Sequence, residues 1–203
     1  MIMTDLRKVW NSRSLLIALI VMVPGALTLL QQWGYRADGT ATPAMSMPSR
    51  TVMAPDFTLH DLDGVGRDLA SFRGRVILLS FWATWCVPCR TEMLSMAGLS
   101  QQYKDDGFEV VAVFNDVQGV EAVQPFMTRL HLRFTTLLDA TGQVARLYGV
   151  TSLPTAYLID REGRLVTVAI GRYDWATAEA QALIISLLDP AKRAAIPRAS
   201  EAM

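Results

Sequence analysis

Val76-Ile77-Leu78-Leu79-Ser80-Phe81-Trp82, followed by Ala83-Thr84-Trp85 and then Cys86-Val87-Pro88-Cys89, is the stretch on which the fold turns. Residues 76–82 form a continuous apolar run, which suits a central strand buried on both faces. The next predicted element is a helix from Cys86 to about Tyr103. A helix N-terminus offers free backbone N–H groups and the positive end of the macrodipole, and both favour an anion. A thiolate at Cys86 gains from both, so this cysteine is the expected nucleophile. Cys89 sits one turn into the helix, close enough to form a disulfide with Cys86 and more shielded. Pro88 suits the first turn, where its missing N–H is not needed. The chemistry expected is attack by Cys86 on a partner's disulfide, then resolution of the mixed disulfide by Cys89. The competing reading of the pair is half of a zinc site, which takes four ligands. Only His60 and His131 are on hand as histidine ligands, and neither is near in sequence. No metal and no cofactor is therefore expected.

Outward from this stretch, strands and helices alternate. Asp56–Leu59 and Gly66–Leu69 flank an Asp63-Gly64 turn as a hairpin prefix. Phe108–Asn115 is a second buried strand, Val120–Leu130 a helix, and Thr141–Tyr148 a short helix. Thr155–Ile159 and Leu165–Ile170 flank Asp160-Arg161-Glu162-Gly163, a hairpin signal. Trp175–Leu188 is a closing amphipathic helix. The fold class expected is α/β, a mixed central sheet flanked by helices. Met93, Met96 and Leu99, at helical spacing, belong to the core. Asp61, Asp63 and Asp160 lie at turns, and His60 and His131 are surface or satisfied residues.

The 203 residues suffice for one buried domain plus extra segments. Apolar residues make up 51% and charged residues 19% of the chain, which directs attention to a membrane segment. Residues 14–33 are read as a single-span anchor, with Arg7, Lys8 and Arg13 before it and Trp10 and Trp33 as interface markers. The basic flank leaves residues 1–13 cytoplasmic and the rest of the chain outside. Residues 34–53 read as a flexible linker, 54–189 as the globular domain, and 190–203 as a disordered tail. Net charge is zero, so nothing calls for a nucleic-acid partner.

With these residues in view, the chain resembles the thioredoxin superfamily and, within it, the membrane-anchored, extracytoplasmic TlpA/ResA-like branch. Five stretches carry the resemblance. They are Ala54-Pro55-Asp56-Phe57-Thr58-Leu59, Phe72-Arg73-Gly74-Arg75 with the strand after it, Phe81 to Arg90, Tyr148-Gly149-Val150-Thr151-Ser152-Leu153-Pro154-Thr155, and Leu158-Ile159-Asp160-Arg161-Glu162-Gly163. The resemblance implies a thioredoxin-like fold. It implies that Pro154 is the cis-proline facing the dithiol, with Leu153 before it, where an incoming peptide pairs as an added strand. Trp85, Val87, Pro88, Leu153 and Pro154 are thus the implied substrate-binding residues. Trp85 is expected beside Cys86, and Trp82 half in the core. Where thioredoxin has a buried acid six residues before the first cysteine, this chain has Ser80, which cannot take a proton. Glu92, three residues past Cys89, matches an acid of the branch. It is either a partly buried proton acceptor for Cys89 or a solvated helix glutamate. The branch's proline after Glu-x is Leu94 here.

The implied partners are a disulfide-bearing protein substrate and a membrane thiol-reducing electron donor. The function expected is reduction of partner disulfides, of the cytochrome c maturation or copper-centre assembly type, in the bacterial periplasm. Three alternatives stand beside it. A disulfide-forming oxidase of the same fold differs only in reduction potential. A peroxiredoxin-like peroxidase needs Pro-x-x-x-Thr/Ser-x-x-Cys, which Ala83-Thr84-Trp85-Cys86 lacks. A non-catalytic assembly chaperone would work without Cys86.

Overall fold

The strand Val76–Trp82 (β5) is buried along its whole length, because its alternate residues feed two separate cores. In the computed structural model the described residues are 45, 46, 48 and 51–189. The described residues all belong to one compact unit, Thr42–Met203. The anchor read over 14–33, the N-terminus 1–13 and the tail 190–203 lie outside the described residues. Among the described residues no helix is long and apolar enough to cross a membrane.

The strands in chain order are β1 (Met45–Ser46), β2 (Val52–Met53), β3 (Thr58–Asp61), β4 (Gly66–Asp68), β5, β6 (Phe108–Phe114), β7 (Thr135–Leu138), β8 (Thr155–Ile159) and β9 (Arg164–Ile170). The α-helices are α1 (Val87–Tyr103), α2 (Gly119–Arg129), α3 (Gln143–Leu147) and α4 (Ala178–Leu188). Among the described residues all nine strands join one mixed sheet in the order β1-β9-β8-β5-β6-β7-β3-β4, with β2 also on β9. β5 runs parallel to β6 and antiparallel to β8, and β6 runs parallel to β7. This is the mixed α/β architecture that the resemblance implies.

Val76, Leu78 and Trp82 face one side, where they meet Cys89, Met93, Met96 and Leu99 of α1, Phe126 of α2 and Ile184 of α4. Ile77, Leu79 and Phe81 face the other, with Val144 and Ala145 of α3 and Phe57 and Phe72 from the N-terminal hairpin region. The period of two along a strand makes this division, since successive side chains point to opposite faces. Trp82 is wholly buried, not half in the core, with its ring 5.0 Å from Phe126 and 5.1 Å from Phe114.

Several elements differ from the sequence reading. β7 was not expected: four residues, Thr135–Leu138, carry too little pattern to be seen until β6 and β3 pair with them. Within the stretch read as a flexible linker, Met45–Ser46 and Val52–Met53 pair with β9, whose free edge offers unpaired backbone groups. The N-terminal hairpin strand ends at Asp61, two residues later than read. There the Asp61 carboxylate accepts the Asp63 and Val65 N–H groups and pairs with Arg67.

The β8–β9 turn repeats that device. Asp160, buried, accepts the N–H groups of Glu162 and Arg164 and pairs with the Arg164 guanidinium. Gly163 closes the turn at φ 81°, and a Cβ there would collide with the Arg73 guanidinium. From the same turn, Arg161 donates to the carbonyls of Gly74 (2.6 Å), Asp106 (2.8 Å) and Leu188 (3.1 Å). One side chain thus fastens three chain segments at the end of the sheet away from the cysteines. Arg161→Ala leaves those carbonyls without their charged donor. We expect a loss of about 2–3 kcal/mol in urea unfolding. A change under about 0.5 kcal/mol would mean that water replaces the guanidinium at no cost.

Candidate active site

The backbone leaves β5 at Trp82, turns through Ala83–Trp85, and starts α1 with Cys86 as its N-cap residue, in extended conformation. The turn is closed by the Cys86 N–H donating to the Ala83 carbonyl at 3.1 Å. Pro88 lies in the first turn, where its missing donor costs nothing. Cys86 and Cys89 form a disulfide with their Cα atoms 5.4 Å apart. Cys86 is 4% exposed and Cys89 1%. The approach to the pair is therefore on the Cys86 side, where Trp85 (63% exposed) and Val87 (68%) stand out from the surface. Trp85 follows the chain to Cys86 but projects into solvent rather than into the core.

Phe81 pairs with Thr155 across β5 and β8, so the start of β8 lies beside the strand end that carries the cysteines. The bond entering β8, Leu153–Pro154, is cis. Leu153 is half-buried and Pro154 buried. The sequence-derived residues Trp85, Cys86, Val87, Pro88, Cys89, Leu153 and Pro154 thus collect at one end of two adjacent strands. Ser80 is buried mid-strand and faces Ala112 and Ala156 of the neighbouring strands.

Glu92 is buried at 2% exposure, one turn past Cys89, so it is not a solvated helix glutamate. Its Oε1 accepts the Trp175 indole N–H at 2.7 Å, and its Oε2 makes no hydrogen bond of ordinary geometry. Burial raises its pKa to about 7; the Trp175 donor, the Tyr173 backbone N–H and the Arg172 charge work the other way but do not win. On an i, i+3 spacing the Glu92 and Cys89 side chains are neighbours on the helix surface. A carboxyl that titrates near neutrality beside a buried thiol is suited to exchange a proton with it.

Sequence reasoning missed the partner of this carboxyl. Trp175 looked like the first residue of the closing helix. That helix starts instead at Ala178, because Thr177 accepts the Ala180 N–H and caps it. The released segment 171–176 folds back onto the active-site helix. The Trp175 backbone N–H donates to Ser95 Oγ, its ring meets Tyr173 edge-on, and the Gly171 N–H donates to the Pro154 carbonyl. The Thr177-x-x-Ala180 cap was the available signal. Trp175→Phe keeps most of the buried ring and removes the donor. The Glu92 titration, followed by carboxyl carbon NMR, should then move up by about one pH unit. No movement would show that the indole does not stabilise the charged carboxylate.

Among the described residues no cluster of three or more His, Cys, Asp or Glu side chains is placed to hold a metal ion.

A family model described as AhpC/TSA matches residues 51–168. The thiol-disulfide oxidoreductase ResA of Bacillus subtilis (strain 168) is 36% identical over 145 residues, covering 71% of this chain and 80% of that protein. The ResA of Bacillus thuringiensis subsp. konkukian (strain 97-27) is 39% identical over 113 residues, or 56% of this chain, and the match spans 65% of that relative's length. Among solved structures, a DsbE-type thiol:disulfide interchange protein from Chlorobium tepidum superposes with a TM-score of 0.65 at 35% identity, over 71% of this chain and 100% of that one. With its Cys-x-x-Cys pair at a strand-to-helix junction and a cis-proline at the neighbouring strand, the chain belongs to the AhpC/TSA family of the thioredoxin superfamily and groups there with thiol-disulfide oxidoreductases of the ResA type.

Proposed function

We propose that this protein is an extracytoplasmic thiol–disulfide oxidoreductase that reduces disulfides in partner proteins. The observation that carries the reading is the closed Cys86–Cys89 pair at the N-terminus of α1, with Cys86 on the accessible side and cis-Pro154 on the adjacent strand. In the reduced protein, the Cys86 thiolate attacks one sulfur of the substrate disulfide, forming a mixed disulfide and expelling a substrate thiolate. Cys89 then gives its proton to the Glu92 carboxylate and attacks Cys86 Sγ. The Cys86–Cys89 bond forms and the second substrate thiolate leaves. Two electrons pass from the protein dithiol to the substrate. Trp85, Val87 and Pro88 border the attacking sulfur, and the Leu153–Pro154 backbone is the edge on which a substrate strand docks.

Each turnover leaves the protein oxidised, so a membrane thiol-reducing donor must return the electrons. The basic-then-apolar order of residues 1–33 supports anchoring by 14–33 in the bacterial inner membrane, with the domain on the periplasmic side. The resemblance to the TlpA/ResA-like branch implies partner disulfides of the cytochrome c maturation or copper-centre assembly type. The peroxidase reading is disfavoured because Leu79 and Ala83 stand where the peroxidatic signature requires Pro and Thr/Ser.

Stoichiometric exchange tests the reading. Dithiol protein mixed with a disulfide-bearing polypeptide should lose two thiols while the polypeptide gains two. An unchanged thiol count on both proteins would contradict it.

A further inference from the structure

Beside the dithiol, between the start of α1 and helix α2, lies an open groove of about 440 Å³ lined by Thr84, Trp85, Arg90, Glu121, Phe126 and Arg129, among others. Its floor is the buried Phe126 ring. The Arg90 guanidinium lies over that ring at 5.8 Å and the Arg129 guanidinium at 5.9 Å. The two cations come from different helices, and both lie over the one Phe126 ring. Arg90 is held there by donating to the Thr84 carbonyl at 2.9 Å. Among the described residues Arg67, Arg73, Arg75 and Arg164 each pair with a carboxylate, whereas neither Arg90 nor Arg129 does. Glu121, the one carboxylate in the lining, leaves the groove with an excess of positive charge, in a chain whose net charge is zero.

Two guanidiniums around one ring, lining one groove, suit a planar anion, since each presents paired donors to a carboxylate. Trp85 is the wall shared with the active-site surface, and the residue after it is Cys86. A substrate chain held at Cys86 therefore passes within reach of the groove. In a polypeptide substrate the planar anion in that position is an aspartate or glutamate side chain. We propose that this groove is a specificity subsite that receives an acidic side chain of the substrate, a few residues from the disulfide under attack. The inference rests on the oxidoreductase reading above. It adds what that reading leaves open, namely which disulfides are preferred.

The test uses disulfide-bearing peptides identical except for one residue, Glu, Gln or Lys, placed two to four positions from the cystine on either side. Such an offset spans roughly 7–14 Å of extended chain. With the reduced full-length protein at low ionic strength, kcat/KM for the Glu peptide should exceed that for the Gln peptide by about three- to tenfold at the favoured position. Half-molar salt should narrow the gap. Arg129→Gln should bring the Glu/Gln ratio close to one, Arg129→Lys should keep most of it, and Arg129→Glu should place the Lys peptide ahead of the Glu peptide. A general effect of the cations on the Cys86 thiolate changes all peptides alike and leaves these ratios untouched. Equal rates for the three peptides at every position, or a ratio that Arg129→Gln does not alter, would overturn the subsite. Failure to reduce any peptide would overturn the oxidoreductase reading, and the subsite with it.

Discussion

Cys86→Ser should reduce disulfide exchange to the background rate, a loss of roughly a thousandfold or more, because a serine hydroxyl cannot replace a thiolate as nucleophile. Cys89→Ser should do something different. Cys86 still attacks, but the mixed disulfide has no internal sulfur to resolve it, so the substrate stays covalently bound. The asymmetry has a structural source. Both sulfurs are buried, but Cys86 caps the helix between the exposed Trp85 and Val87, while Cys89 lies under the first turn among Met93 and Met96. Non-reducing electrophoresis and peptide mapping of the Cys89→Ser protein should place the adduct on Cys86. A Cys86→Ser protein that keeps full function would move the account to the non-catalytic chaperone.

Glu92→Gln should act in two directions at once. The folded-state pKa of Glu92 is about 7, against an ordinary value of 4.5. Between those two pH values the folded protein holds a proton that the unfolded chain has released. Stability therefore falls as pH rises through this window, and the cost is complete above about pH 7. A shift of this size corresponds to at most about 3 kcal/mol. The substituted amide keeps an acceptor for the Trp175 indole without the charge. The variant should accordingly gain on the order of 1–3 kcal/mol at pH 8 and little or nothing at pH 4, measured by urea midpoint. Catalysis should go the other way. Without a carboxylate to take the Cys89 proton, resolution at neutral pH should slow by about a hundredfold, with the mixed disulfide accumulating. A variant destabilised equally at both pH values would show that Glu92 is charged and satisfied in the folded state.

These two sites also mark the limit of what the chain reveals on inspection. β5 and β8 were legible to the residue, because Val76–Trp82 and Thr155–Ile159 are apolar runs with sharp ends. The dithiol and Pro154 were legible because their neighbours in sequence define them. Glu92 was singled out but its burial was left open, because that depends on Trp175, 83 positions away, and on a segment whose course is set by a cap at Thr177. The placing of Arg90 and Arg129 over Phe126 was hidden for the same reason: the two cations lie on separate helices that the fold packs into one core. β7 escaped notice because four residues do not establish a period. Local pattern located the dithiol and the cis-proline. The surroundings of Glu92 and of Phe126 needed tertiary contacts.

The direction of electron flow is the centre of the account, and the reduction potential of the Cys86–Cys89 couple tests it most directly. The protein is equilibrated in a graded series of thiol–disulfide buffers and its dithiol fraction counted. The account predicts a strongly reducing couple, near the value of about −270 mV known for thioredoxin. A value close to about −120 mV, that of a strong periplasmic oxidant, would contradict it and make the protein a donor of disulfides rather than a reductant.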